Sequence, residues 1–193
     1  MFLKSHRVAM AGMITALTVL FLFLSGVLEY CSLACLAAAA FLTGRMAAKY
    51  KWTGGAAGLV AALFLGFLLM PNKFYLATYL AMAVYVLIWE ALTPLWYEKH
   101  RGRLWIVKGV AYHGMLAVAI SVYVALFGIG KMLSQLPFWT MMQRHAAALV
   151  AAVFLLLVGA EILWIAFDKA YRIFRYEWFR LENRVRSGGG HAL

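Results

Sequence analysis

Two apolar runs, SLACLAAAAFLTGRMAA (Ser32–Ala48) and GGAAGLVAALFLGFLLM (Gly54–Met70), stand either side of Lys49-Tyr50-Lys51-Trp52-Thr53. Each approaches the ~20 apolar residues that a helix needs to cross a bilayer core. The basic residues beside the break are the kind that collect at a cytoplasmic membrane surface. This stretch predicts two membrane spans joined by a short inner connection.

The rest of the chain repeats the pattern. Further apolar runs cover about 8–24, 74–95, 104–127 and 142–167, which makes six spans in all. Turn chemistry separates them at Ser25-Gly26, Thr53-Gly54-Gly55, Pro71-Asn72, Gly102, Gly128-Ile129-Gly130 and Pro137. Of the 193 residues 66% are hydrophobic and only 13% are charged, whereas a soluble domain carries about a quarter charged residues. A soluble fold, a disordered chain and a coiled coil are excluded. Two cysteines exclude a disulfide-stapled module. The expectation is an all-α integral membrane protein with one six-helix transmembrane domain over 1–187. Its last helix continues past the apolar zone as a basic extension over 168–186, and a flexible tail fills 188–193.

The net charge of +11 would suggest nucleic acid in a soluble protein. Here it sorts by side. Lys4 and Arg7, then Arg45, Lys49 and Lys51, then Lys99, Arg101, Arg103 and Lys108, and finally Lys169, Arg172, Arg175, Arg180, Arg184 and Arg186 all fall on one side of the six spans. Only Lys73, Lys131 and Arg144 fall on the other. This asymmetry across short loops predicts cytoplasmic N and C termini. The charge therefore serves as an orientation signal, and no nucleic-acid partner is needed to explain it. Val27-Leu28-Glu29-Tyr30-Cys31 has no small-residue cleavage pattern, so the first span is expected to stay in the mature protein.

Small residues recur every fourth position in the third span, at Gly54, Gly58, Ala62 and Gly66, a ladder that lets another backbone approach closely. The preferred reading is packing within the chain. In the first span Ala11 and Thr15 lie beside Gly12 and Ala16, a candidate docking strip for a partner helix. Aromatic and basic residues interleave from Phe167 to Arg186, which points to an interfacial anchor against anionic lipid.

Four ionisable residues lie well inside the spans, where burial of charge is costly: Glu90, Lys108, His113 and Glu161. Their depths place them together in the inner leaflet, as either a proton relay or a structural ion-pair knot. At the outer ends, Glu29, Asn72, Lys73, Tyr75, Tyr79, Gln143, Arg144 and His145 supply the few convergent polar and aromatic groups that a small-molecule site requires. An aromatic belt with solvated loop charges is the alternative. The connection over 128–141 has glycines at its base, as a lid would. Cys31 and Cys35, one turn apart, read as two small buried side chains. H-E-x-x-H, G-x-S-x-G and the phosphate-binding G-x-x-x-x-G-K-[ST] are absent, so neither enzyme nor cofactor is expected. An intramembrane enzyme using Glu90, His113 and Glu161 and a non-catalytic assembly protein are the rival classes.

With Ala9-Met10-Ala11-Gly12-Met13-Ile14-Thr15-Ala16-Leu17 in the first span and this plan of spans and loops, the chain resembles the substrate-binding (S) component of energy-coupling factor transporters. Leu69-Met70-Pro71-Asn72-Lys73 followed by Tyr79 also resembles a six-span group of Gram-positive bacteria. The resemblance implies a bacterial plasma-membrane protein that binds a vitamin or other nutrient in its outer half. It also implies docking through the first span onto a transmembrane coupling subunit driven by two ATPases. The family's usual strip is two alanines four apart, whereas this chain carries the overlapping pairs Gly12/Ala16 and Ala11/Thr15.

Overall fold

The computed structural model describes residues 2–70, 72–96, 101–127 and 146–188, and all its regular structure is helical. Helix α1 spans Phe2–Val27, and a 3-10 turn over Glu29–Cys31 leads into α2, Ser32–Leu69. Helices α3, Lys73–Trp96, α4, Arg101–Phe127, and α5, Ala146–Gly188, complete the described chain. Three stretches are long and apolar enough to cross a membrane: Val8–Val27, Ser32–Leu69 and Lys73–Thr93. The connection over 128–141 and residues 142–145 lie outside the described residues. The chain falls into two compact units, Met1–Ala111 and Tyr112–Leu193.

In the first unit α2 reverses direction. Lys51 has φ 65° and ψ 178°, a backbone region that costs a residue with a Cβ about 1–3 kcal/mol. Residues 47 and 55 would stand about 12 Å apart on a straight helix at 1.5 Å per residue. Instead, a Cβ built on Gly55 falls 2.6 Å from the Ala47 Cβ and 2.7 Å from a Leu87 methyl. A Cβ on Gly58 falls 2.5 Å from the Met46 sulfur. The element is therefore a hairpin of two helical segments, 32–50 and 52–69, each roughly 27–28 Å long at 1.5 Å per residue.

The chain turns at Lys51, within the expected 49–53 connection and just before the Thr53-Gly54-Gly55 turn signal. Those glycines do a different job: they remove the side chains that would hold the hairpin arms and α3 apart. Gly66 extends the same seam, where a Cβ would meet Leu76 of α3 at 2.7 Å and Leu22 of α1 at 3.4 Å. With Gly58 and Ala62 also buried, the small-residue ladder packs within the chain. Ser25-Gly26, also expected as a break, lies inside α1, and Gly102 lies inside α4. Hydroxyls in this apolar bundle bond back to their own helices. Thr18 donates to the Ile14 carbonyl at 2.9 Å and Thr93 to that of Trp89 at 2.6 Å, which satisfies them without water.

Candidate functional site

The end of the first unit opposite the Lys51 turn gathers two of the predicted outer connections. Gly26 near the end of α1 lies against the Met70 methyl, 3.8 Å from its own notional Cβ. This brings the end of α1 against the end of α2. Tyr30 is exposed and Tyr75 half-buried. Asn72 and Lys73, predicted as ligand groups, have structural work here. Asn72 Oδ1 accepts from the Phe74 N–H at 3.0 Å, an N-cap for α3. Lys73 Nζ donates to the Met70 carbonyl at 2.7 Å and to that of Phe67, and sits 4.4 Å from the centre of the Phe67 ring. It thereby closes the carbonyl end of α2.

Tyr79 is fully buried, and its hydroxyl lies 2.7 Å from that of Thr43. Thr43 also donates to the Ala39 carbonyl at 3.2 Å. Tyr79 therefore acts as a polar cross-link between α3 and the first arm of α2. Cys35 is buried as expected, whereas Cys31 is exposed in the 3-10 turn, and both thiols are free. Gln143, Arg144 and His145 lie outside the described residues.

The strip on α1 divides between two faces. Ala11 and Thr15 are partly covered, and the Thr15 hydroxyl lies 3.6 Å from the Met46 sulfur of α2. Gly12 and Ala16 are exposed, and a Cβ on Gly12 would meet nothing within 4 Å. They continue into an open apolar stripe of Leu20, Phe23 and Val27.

Of the four ionisable residues expected within spans, Glu90 and Lys108 belong to the first unit and are 8% and 4% exposed. The Lys108 ammonium sits 4.1 Å from the centre of the Trp89 ring, where the negative face of the indole offsets part of the cost of burying the charge. His113 and Glu161 belong to the second unit and form a direct pair, Nε2 to Oε1 at 2.6 Å, with side chains 53% and 44% exposed. Next to the imidazole, Tyr112 donates its hydroxyl to the Ala160 carbonyl at 3.0 Å. It stacks on Trp164 with centroids 5.7 Å apart, and His113 meets the same indole edge-on at 6.3 Å. Two helices are thus fixed in register by one hydrogen bond and an aromatic stack, and this aligns the pair.

Comparison with protein-family models, curated proteins and solved structures gives no match. No family is shown. What the chain does must therefore be argued from its own residues.

Sequence reading misses Trp89, Tyr112 and Trp164. Their signal is local: Trp89 precedes Glu90, Tyr112 precedes His113, and Trp164 lies one helical turn after Glu161. Further along α5, Asp168 is buried and held by Arg172 at 3.1 Å. Phe174 and Trp178 pack with centroids 5.6 Å apart, whereas Tyr176, Phe179 and Arg180 are exposed.

Proposed function

We propose that the chain is a six-span protein of a bacterial plasma membrane, with both termini in the cytoplasm, that captures a small nutrient at its outer end for uptake. Two of these crossings rest on the apolar runs at about 104–127 and 142–167. Support for the other four comes from three sources. These are the three membrane-length apolar helices, the reversal at Lys51 that divides the second of them, and the basic residues that flank that reversal. The observation that carries the capture reading is the contact of Gly26, near the end of α1, with the Met70 methyl at the end of α2. Tyr30 is exposed and Tyr75 half-buried in the adjoining stretches of chain, and Asn72 and Lys73 cap the neighbouring helix ends. A binding site needs such a few polar and aromatic groups at the mouth of an apolar bundle.

The resemblance to S components supplies the remaining parts of the proposal. Uptake is driven by a coupling subunit with two ATPases, docked on α1. Gly12 and Ala16 are the pair left open for it, because Ala11 and Thr15 face α2. The basic face of α5, with Lys169, Arg172, Arg180 and Arg184 exposed, rests on anionic lipid.

Thermal unfolding of the purified protein against a panel of water-soluble vitamins tests the capture site. A true ligand at 100 times its Kd stabilises by about 2.7 kcal/mol, and Tyr75→Ala and Tyr30→Ala lose that gain. The site is wrong if no compound stabilises the protein, or if neither substitution changes the effect. Recovery of a coupling subunit and ATPases from the native host tests the partner, and Gly12→Leu abolishes that recovery while solute binding persists.

A further inference from the structure

Glu161 is the only charged residue between Ala146 and Phe167 of α5. Around it the helix is openly apolar: Leu157, Ile162 and Ile165 are all exposed. On α4, Val110 and Val118 flank His113 in the same condition. Gly114 beside the imidazole and Gly159 two residues from Glu161 each have nothing within 4 Å of a notional Cβ. A His–Glu pair therefore opens sideways, half-exposed, on a surface made of hydrocarbon side chains.

The pair is also chemically incomplete. Oε1 of Glu161 is engaged by His113 Nε2, and no other hydrogen bond to the carboxylate is made among the described residues. A carboxylate has about four acceptor positions, so Oε2 is left to accept a proton or a hydrogen bond from outside the chain. The other titratable groups nearby are committed. Tyr112 of α4 gives its hydroxyl to the Ala160 carbonyl, and Asp168, two turns along α5, is held by Arg172. In apolar surroundings a net charge on the pair is costly, so gain and loss of a single proton is the change to which it responds.

We propose that His113 and Glu161 form a proton-binding site that faces the bilayer. One proton is shared across the 2.6 Å bond when the pair is neutral, and it is released when the pair becomes an anion. The proposal rests on the six-span part of the preceding reading, because α4 and α5 must lie in the membrane. It does not depend on the capture site. It would give the chain a group able to answer an ion gradient, apart from any ATPase partner.

A hydrophobic carbodiimide tests it on the intact protein in lipid nanodiscs. The reagent enters hydrocarbon, adds to a protonated carboxyl and leaves an N-acylurea whose mass marks the residue. The expected result is modification of Glu161 about tenfold or more faster than of Glu177 or Glu182 on the extension, with the order reversed for a water-soluble carbodiimide. Glu161→Gln removes the mark. His113→Gln changes the pH profile of labelling, whereas Leu155→Ala, on the exposed apolar face of α5, leaves it in place. Equal labelling of Glu161 and Glu177 by the water-soluble reagent would overturn the proposal, since the pair would then lie in water. Failure of both reagents would overturn it as well, because another protein surface would then cover the pair. An unchanged profile in His113→Gln would remove the imidazole from the site. Vitamin-dependent stabilisation of the same preparation separates the two readings: if it persists when labelling fails, only this proposal falls.

Discussion

At Gly55 a methyl group has no room, with Ala47 and Leu87 both within 2.7 Å of where it would sit; at Gly114 and Gly159 it would meet nothing. The same residue type, in helices of similar apolar composition, serves close packing in the first unit and leaves an open surface in the second. Polar groups divide in the same way. Thr43 and Tyr79 satisfy each other inside the first unit, and Asn72 and Lys73 close helix ends. His113 and Glu161 pair with each other and stay half-exposed. Small residues and polar residues in a membrane-length helix thus signal two things, closure and availability. What decides between them is whether a second helix lies within reach.

Substitutions that should respect this contrast can break it. Gly55→Leu has the largest expected effect. It forces apart the two arms of the α2 hairpin and α3, and overpacking of this kind costs about 3 kcal/mol, read as a lower midpoint of unfolding in detergent. The same change at Gly159 gives a near-wild-type midpoint, and a comparable loss at both positions would erase the distinction. Tyr79→Phe removes one buried hydrogen bond and costs about 1 kcal/mol. Thr43 keeps its bond to the Ala39 carbonyl, which limits the damage. Lys51→Gly works in the opposite direction. It relieves a positive-φ backbone and stabilises the hairpin by up to about 1 kcal/mol, and a loss instead would mean that the lysine side chain holds the turn. Gly12→Ala, on the open face of α1, changes stability by less than about 0.5 kcal/mol.

Most of the helices were legible in the sequence because membrane-length apolar runs have few alternatives. The runs at about 8–24 and 74–95 lie inside α1 and α3, and the structure adds only a turn or less beyond most boundaries. The hairpin turn falls inside the expected 49–53 connection, but which residue makes it was less legible. Glycine is a turn signal and also a packing signal, and Gly54-Gly55 was assigned the first role where Gly55 plays the second.

The outer polar residues carry a related ambiguity. Asn72 and Lys73 beside a proline resemble ligand groups, but a helix end with unpaired N–H and carbonyl groups competes for the same side chains and is always present. Tyr79 could not be separated from Tyr75 by spacing alone, because its hydroxyl partner lies 36 residues earlier. Depth placed His113 and Glu161 at the same level, yet their pairing spans 48 residues and is accompanied by the Tyr112–Trp164 stack between the same two helices. No local pattern encodes that.

Capture from outside the cell requires that the Glu29–Cys31 turn face outward while Lys51 faces the cytoplasm. Cys31 is an exposed native thiol at the first of these positions, and Cys35 is buried. Labelling of intact cells with a membrane-impermeant maleimide therefore tests the arrangement directly, using a Lys51→Cys variant in a Cys31→Ser background for the second position. The expected result is that Cys31 reacts in intact cells and that the thiol at position 51 reacts only after the membrane is permeabilised. Reaction of both from the same side would mean that the first arm of α2 does not cross the membrane, and it would remove the outer site on which the capture proposal stands.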